Sequence, residues 1–516
     1  MLATRTVGGS LSATILHDPR WRRVAAKGLV SLGRGLRPLC LLFLLLAGCS
    51  GLAETARDPY ELAPPAASRP WDASPYPNSA PPGLPPEPVP EADKLYDLPA
   101  LIDMALGANP DTRLFWYQAR AAAARVGLAD SAYLPVLAVV AVGGYQRIED
   151  RTKSGPLFTQ GPVLTSQLVL EWKLVDFGRR DADFDAAMQK LLQSNFGFNR
   201  ELQRVAFAVQ QSFYAYDTSR AQVQAALATL KSAASVQEAA EARLARGLAT
   251  KTEVLLARQE RARAAYEVQA AQRGVADAYS RLAETLGISP ASPLRVAELS
   301  SLPLPSKLKE SVEEAMDRAL SQRPDLSARL AQLRAREAEV RRARADFLPT
   351  LSLGGAAGGT GGQFGAQGTD ETFAYAEPLY SGLLRFSWTL FDGFARENAV
   401  RQAEARRGEA EAELSQLQLK ALRNVWKTYA DVQVALLQCD FASALLAASE
   451  DAYQAAFQSY DAGLADIVDL LLAERDLARA RSTDIDSRGE LLRSAAALAF
   501  AIGDTGEAVV DSGLSR

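Results

Sequence analysis

Histidine is almost missing from these 516 residues; the single one, His17, lies in the N-terminal segment. Without a second imidazole the rest of the chain cannot build a Ser/His/Asp triad or most zinc sites. Cysteine is scarce as well. Cys40, Cys49 and Cys439 offer no recognisable pairing, so no disulfide framework holds the fold. Charge of one sign is also lacking: 57 Lys+Arg stand against 61 Asp+Glu, and no basic block occurs past the N-terminus, which argues against nucleic acid. No Ser, Cys or carboxylate pair sits in a nucleophile or acid–base context. The expectation is a protein that is not an enzyme and needs no cofactor or metal. Proline is absent from residues 179–286 and 395–502, which leaves both stretches free to form long helices.

What is present is written twice. Residues 98 to 287 recur as 312 to 503. Asn109-Pro110-Asp111 meets Arg323-Pro324-Asp325, and Tyr133-Leu134-Pro135 meets Phe347-Leu348-Pro349, both 214 residues apart. Trp172-x-Leu174-x-Asp176 meets Trp388-x-Leu390-x-Asp392, and Gly247-Leu248-Ala249 meets Gly463-Leu464-Ala465, both 216 apart. A duplication with a two-residue slip and no catalytic motif in either copy points to architecture. The boundaries expected are 94–290 and 312–505 for the repeats, 291–311 for the linker and 506–516 for a tail.

The first 48 residues have the form of an export signal. Arg20, Arg22, Arg23, Lys27, Arg34 and Arg37 precede an uncharged apolar run from Leu39 to Gly48, too short to span a bilayer. The run ends Leu46-Ala47-Gly48-Cys49, which resembles a bacterial lipobox. That resemblance implies acylation of Cys49 as the new N-terminus, and Ser50 after it implies an outer-membrane address. Residues 49–93 then read as a tether: 12 of the 26 prolines lie between Pro59 and Pro90, a density that excludes helix and sheet.

Within each copy the periodicity predicts a helix from Leu98 to Ala132, interrupted at Pro110, and another from Val312 to Ala345 around Pro324. Strands follow each terminating proline. Leu134 to Val142 is apolar and β-branched. A polar loop is expected from Gln146 to Gln160. Then Leu168, Leu170, Trp172 and Leu174 alternate with Gln167, Glu171 and Lys173; in copy two Leu384, Phe386, Trp388 and Leu390 alternate with Arg385, Ser387 and Thr389. This pattern fits a strand with one wet side, either a soluble half-buried sheet or a membrane barrel strand. Gly354 to Gly368 is read as a flexible hairpin tip. Four strands per chain are too few to close a barrel alone.

Two long helices then follow in each copy, Arg179 to Arg246 with Thr250 to Leu286, and Ala395 to Ala462 with Asp466 to Ile502. A heptad seam is legible in Val209, Phe213, Tyr216, Val223, Leu227, Leu230 and Ala234, with Arg220 a misfit. Its second-copy counterpart holds Val425, Tyr429, Val432, Leu436 and Leu446. Cys439 falls in that seam and reads as a small buried hydrophobe. The helices meet at Gly247-Leu248 and Gly463-Leu464, where glycine supplies a left-handed cap. Thr250-x-x-Glu253 has the form of a capping box, and Asp466 with Asp469 occupies the same slots. Each copy should therefore make an antiparallel coiled-coil hairpin with an acidic tip.

Taken in order and twice, the prolines Pro135 and Pro349 that open strands, the Leu174 to Gly178 and Leu390 to Gly393 turns and the Gly-Leu-Ala tips resemble the TolC family of outer-membrane channels over about residues 94 to 505. The resemblance implies a mixed α/β membrane channel: a trimeric twelve-stranded β-barrel, four strands per chain, continued by a long α-helical coiled-coil tunnel in the periplasm. It implies a homotrimer in the outer membrane of a Gram-negative bacterium, in contact with outer-membrane lipid, with a periplasmic adaptor and an inner-membrane transporter as partners. Gly247, Leu248, Gly463 and Leu464 would be the tips that meet the adaptor. Asp469 matches an aspartate that rings the family's constriction; the second ring aspartate is Leu472 here. Tyr460 and Glu253 match residues that latch the closed state, while the arginine expected to complete a salt bridge is Ala465. Efflux of small toxic compounds is the function expected, with type I protein secretion as the alternative. A periplasmic coiled-coil scaffold is the reading from another class.

Overall fold

The structure is a computed structural model, and it describes residues 90–91, 93–152, 155–298, 304, 306–366, 372–504 and 510–511. The expected leader, Cys49 and the body of the proline-rich tether lie outside these residues. The described elements belong to the compact unit that begins at Pro86.

In chain order they are β1 Leu95–Tyr96, α1 Leu98–Ala108, α2 Pro110–Ser131, β2 Val136–Thr152, β3 Gly155–Val175, α3 Arg179–Ala245 and α4 Lys251–Leu286. The second copy, after β4 Arg295–Val296 and β5 Lys307–Leu308, runs α5 Val312–Gln322, α6 Pro324–Ala345, β6 Thr350–Ala366, β7 Thr372–Ser387, α7 Ala395–Asp461 and α8 Ile467–Ile502. β8 is Val510–Asp511. The prolines cut where the sequence places them. Asn109 and Arg323, each preceding a proline, are extended at ψ 129° and 120°, so each short helix ends and the next begins at the proline. The 67 residues of α3 and of α7 make helices about 100 Å long.

β2, β3, β6 and β7 form one antiparallel sheet in that order, with β2 and β7 at its edges. The junction between copies is the β3–β6 pair, with Leu168 opposite Ala357. Two sequence expectations fail here. The predicted loop at Gln146 to Gln160 is mostly strand, since β2 runs to Thr152 and β3 starts at Gly155. The glycine-rich segment is not a flexible tip either: Gly354 to Ala366 is β6, paired on both sides. Its glycines are needed for close approach. A Cβ on Gly358 would run into the Ser166 carbonyl oxygen, and one on Gly362 would lie 2.5 Å from that of Pro162. Glycine in a strand marks such contacts. In copy two the alternation also outruns the strand, because Trp388 and Leu390 lie beyond the end of β7.

The passage from strand to long helix is built alike in both copies. Phe177 (φ 52°) and Gly178 (φ 91°) are left-handed in one; Gly393 (φ 70°) and Phe394 (φ 68°) are left-handed in the other. A left-handed phenylalanine costs about 1–2 kcal/mol, so something must hold the turn. Arg180 does so. Its Nε donates to Asp176 Oδ2 at 2.9 Å, its Nη1 to the Lys173 carbonyl at 2.7 Å and its Nη2 to the Leu174 carbonyl at 3.1 Å, with the guanidinium 4.9 Å over the Tyr133 ring. Arg396 repeats the plan on Asp392 at 2.8 Å and over Phe347 at 5.0 Å. The two tryptophans also correspond: Trp172 Nε1 donates to the Tyr133 carbonyl at 2.9 Å and Trp388 Nε1 to that of Phe347 at 3.0 Å.

Three apolar clusters hold the helices. One joins α1, α3 and α4 around Leu101, Val209, Phe213 and Leu282. Its counterpart joins α5, α7 and α8 around Ala315, Val425, Val432 and Leu498, with Cys439 packed against it. The third lies near the tips and joins both hairpins through Val236, Ala257, Tyr453, Tyr460 and Leu470. The predicted seam is thus right at Val209 and Phe213. Toward the tip it shifts, since Leu227 is exposed while Ala233, Val236 and Ala240 are buried. Arg220, the misfit, leaves the seam to donate to the Val296 carbonyl at 3.1 Å and to pair with Glu298.

Candidate functional site: the hairpin tips

Both tips turn as their sequences require. Gly247 and Gly463 are left-handed at φ 75° and 76°. Leu248 N donates to the Arg243 carbonyl and Leu464 N to that of Ser459, so the last carbonyls of each descending helix are satisfied. Thr250 caps α4 in a complete capping box: Thr250 Oγ1 accepts from Glu253 N at 3.3 Å, and Glu253 Oε1 accepts from Thr250 N at 3.0 Å. Asp466 caps α8 through Oδ1, which accepts from Val468 N at 2.8 Å and Asp469 N at 3.0 Å.

Glu253 does more than cap. Its second oxygen, Oε2, faces the Tyr460 hydroxyl at 3.4 Å, linking the tip of one hairpin to that of the other. Tyr460 is 1 % exposed, the largest fully buried side chain among the described residues. Burial, and then the Glu253 charge, push its phenol up from the usual value, against the pull of Arg243. That arginine is the third member. The Arg243 guanidinium lies 4.7 Å over the Tyr460 ring. It donates to the carbonyls of Tyr460, of Asp461 at 3.3 Å and of Leu248 at 3.3 Å. The position matched to the family's arginine is Ala465, in the turn before α8, but a guanidinium is present at the tip all the same, supplied by Arg243 of α3. Arg243 is the one basic residue in the last turn of α3, which was the available signal; its partner, 217 residues away, was not legible.

The other predicted residues lie on the outside of this cluster. Asp469 and Leu472 are exposed on α8, and Leu248 and Leu464 are 63 % and 84 % exposed at the turns. Exposed apolar side chains also include Leu255 and Val468, so the tips present a leucine-rich end around a polar cluster. One heptad above, Glu260 on α4 accepts a bidentate contact from Arg475 on α8, at 2.8 and 3.3 Å. Among the described residues no group of acidic, cysteine or histidine side chains could hold a metal ion.

The profile of a family described as "Outer membrane efflux protein" matches residues 101–288 and 315–504, one segment in each repeat. Protein CyaE of Bordetella pertussis is 30 % identical over 424 residues, covering 82 % of this chain and 87 % of that one. Outer membrane protein OprJ of Pseudomonas aeruginosa is 27 % identical over 382 residues, covering 73 % and 78 %. Among solved structures, the outer-membrane channel OprN aligns with a TM-score of 0.68 at 23 % identity, over 79 % of this chain and 90 % of that one. A membrane protein from Pseudomonas aeruginosa aligns with a TM-score of 0.70 at 25 % identity, over 82 % and 100 %. With the family match spanning both repeats, this chain belongs to the outer membrane efflux protein family, and it is an outer-membrane channel of a tripartite efflux or secretion system.

Proposed function

We propose that three copies of this chain close into one conduit, a twelve-stranded barrel above a helical tunnel, and that it is the exit duct for small toxic compounds. The observation that carries this reading is a difference between the two copies of the repeat. On α3, Gln203, Gln211, Thr218 and Gln222 face α8: Gln203 donates to the Gly503 carbonyl at 2.8 Å, Gln211 to that of Arg493 at 2.8 Å and Gln222 to that of Ser482 at 3.1 Å, while Thr218 abuts Gly489. All four are buried or half-buried. Their counterparts 216 residues later, Leu419, Lys427, Val434 and Gln438 on α7, are all exposed. The same face of α7 bears Leu437 and Phe441, 57 % and 71 % exposed. If α7 meets the α4 of a second copy as α3 meets α8 within one, this face is covered. The apolar run that makes α7 long and apolar enough to cross a membrane is then a subunit contact.

The sheet makes the same demand. β2 and β7 leave its two edges open, and no open edge is tolerated in lipid. Since β3 pairs with β6 within the chain, the equivalent step pairs β7 with β2 of the next copy, and cyclic closure removes both edges. A coiled-coil scaffold would leave the edges and the α7 face bare.

Acylation of Cys49 anchors the assembly in this reading. Leu248 and Leu464 meet the adaptor, Asp469 lines the constriction, and Tyr460, Glu253 and Arg243 hold the tips together. Planar-bilayer recording of the purified protein tests the conduit: uniform conductance steps are expected, and silence from well-folded protein contradicts it.

A further inference from the structure

Glu474, on α8 two turns above the tip, is 3 % exposed, and neither of its carboxylate oxygens has a hydrogen-bond partner. It sits at the foot of a cavity of ≈ 430 Å³ bounded by α3, α4 and α8 and shared with Glu260. The groups around it come from every packed helix, the charged ones from α8 and α4. α8 itself supplies Arg475, Arg479 and Arg481; α4 supplies Glu260, Arg263 and Glu267; α7 adds the buried Tyr453, and α3 lines the cavity with the uncharged Gln222 and Thr229. Arg475 is turned to Glu260, which leaves Glu474 the carboxyl without a partner.

An ionised carboxylate in this position would be costly, whereas the neutral acid is tolerated. We propose that Glu474 is a proton-binding site that couples the packing of α8 against α3 and α4 to pH: protonated, it holds the hairpins together above the latch; ionised, it drives α8 outward and favours an open tip. The idea rests on the reading of these hairpins as the closable end of a channel. Glu474 belongs to the same helix as the Asp466 cap and lies one heptad beyond Ile467 in the tip cluster, so a displacement here reaches Tyr460.

Burial, and next the Glu260 charge, push the Glu474 carboxyl from 4.5 up to about 7, against Arg475 and Arg481. The sign follows. Packing raises the affinity for the proton, so the packed form is fully favoured below pH 4.5, loses ground as pH rises from 4.5 to about 7, and is pH-independent above that. Within that window the packed-to-open ratio falls by up to about tenfold per pH unit.

Hydrogen-exchange protection factors for the α8 amides between Ile467 and Leu477 provide the test, measured on the full-length protein from pH 5 to 8. Wild type should lose protection as pH rises from 5 to about 7 and level off above that, and Glu474→Gln should stay protected throughout. Glu260→Gln should make protection level off at a lower pH than in wild type, because it removes a like charge and frees Arg475. Protection that is flat with pH in wild type, or that titrates equally in Glu474→Gln, overturns the proposal. Bilayer recording on the same samples reads the consequence: open probability should rise with pH in wild type and stay flat in Glu474→Gln. A conducting wild type without that rise overturns the coupling to the tip. No conductance at any pH counts against the channel reading, while exchange still decides whether Glu474 switches the packing.

Discussion

Replacing Arg243 by alanine is the perturbation that most directly loads the proposed latch. The side chain makes carbonyl contacts to Tyr460, Asp461 and Leu248 and stacks at 4.7 Å on the Tyr460 ring. Hydrogen bonds from a charged donor are worth about 1.5–3 kcal/mol each when well made, and a cation–π contact adds about 0.5–2 kcal/mol. Arg243 is only half-buried and two of its contacts are long, so the contacts are not summed at full value. A loss of about 2–4 kcal/mol per latch is a reasonable figure, which corresponds to a ~30- to 1,000-fold rise in the open-to-closed ratio. Single-channel recording should show Arg243→Ala open far more of the time than wild type. Arg243→Lys should lie between them, because an ammonium keeps the charge but not the planar fork. The exposed Arg246, one turn nearer the tip, is the control; its alanine variant should match wild type. If Arg243→Ala conducts with unchanged open probability, or if Arg246→Ala opens equally, the latch is held by something else.

Other expectations follow from the same geometry. Arg180→Ala strands Asp176, which is 5 % exposed, and should cost about 3–5 kcal/mol, whereas Arg396→Ala strands a more exposed Asp392 and should cost less; the order of the two in thermal melts checks this. Gly358→Val drives a side chain into the Ser166 backbone and should break the β3–β6 pairing, so the variant should be missing from heat-resistant assemblies on gels while Gly382→Val, where a Cβ meets nothing within 4 Å, assembles. Asp469→Ala should lower cation preference in bilayers if that residue lines the constriction; unchanged selectivity would leave it a first-turn acid of α8.

Much of the helical architecture could be read without coordinates. Helix starts and stops at Pro110, Gly247, Thr250, Gly463 and Asp466 fall within a residue of expectation, because caps and prolines act locally. The strands were harder. Gly354 to Gly368 reads as a loop by composition, yet its glycines serve a neighbour about 190 residues away, as Gly358 does for Ser166. Gln146 to Gln160 misleads in the same way, since a strand pairs through its backbone and keeps its polar side chains. At the tips, the capping role of Glu253 was legible but its contact with Tyr460 needed both copies in space. Arg243 and Glu474 are not legible in the sequence for one reason: an arginine near a helix end and a glutamate in a charged helix are ordinary until their partners, or the lack of them, are known.

In the proposed assembly three chains close what one leaves open at β2, β7 and the outer face of α7. Counting the copies in each detergent-extracted particle by native mass spectrometry tests it most directly. Three copies are expected in every intact particle, with single chains appearing only on unfolding. Particles of one or two copies that still hold the folded sheet would contradict it.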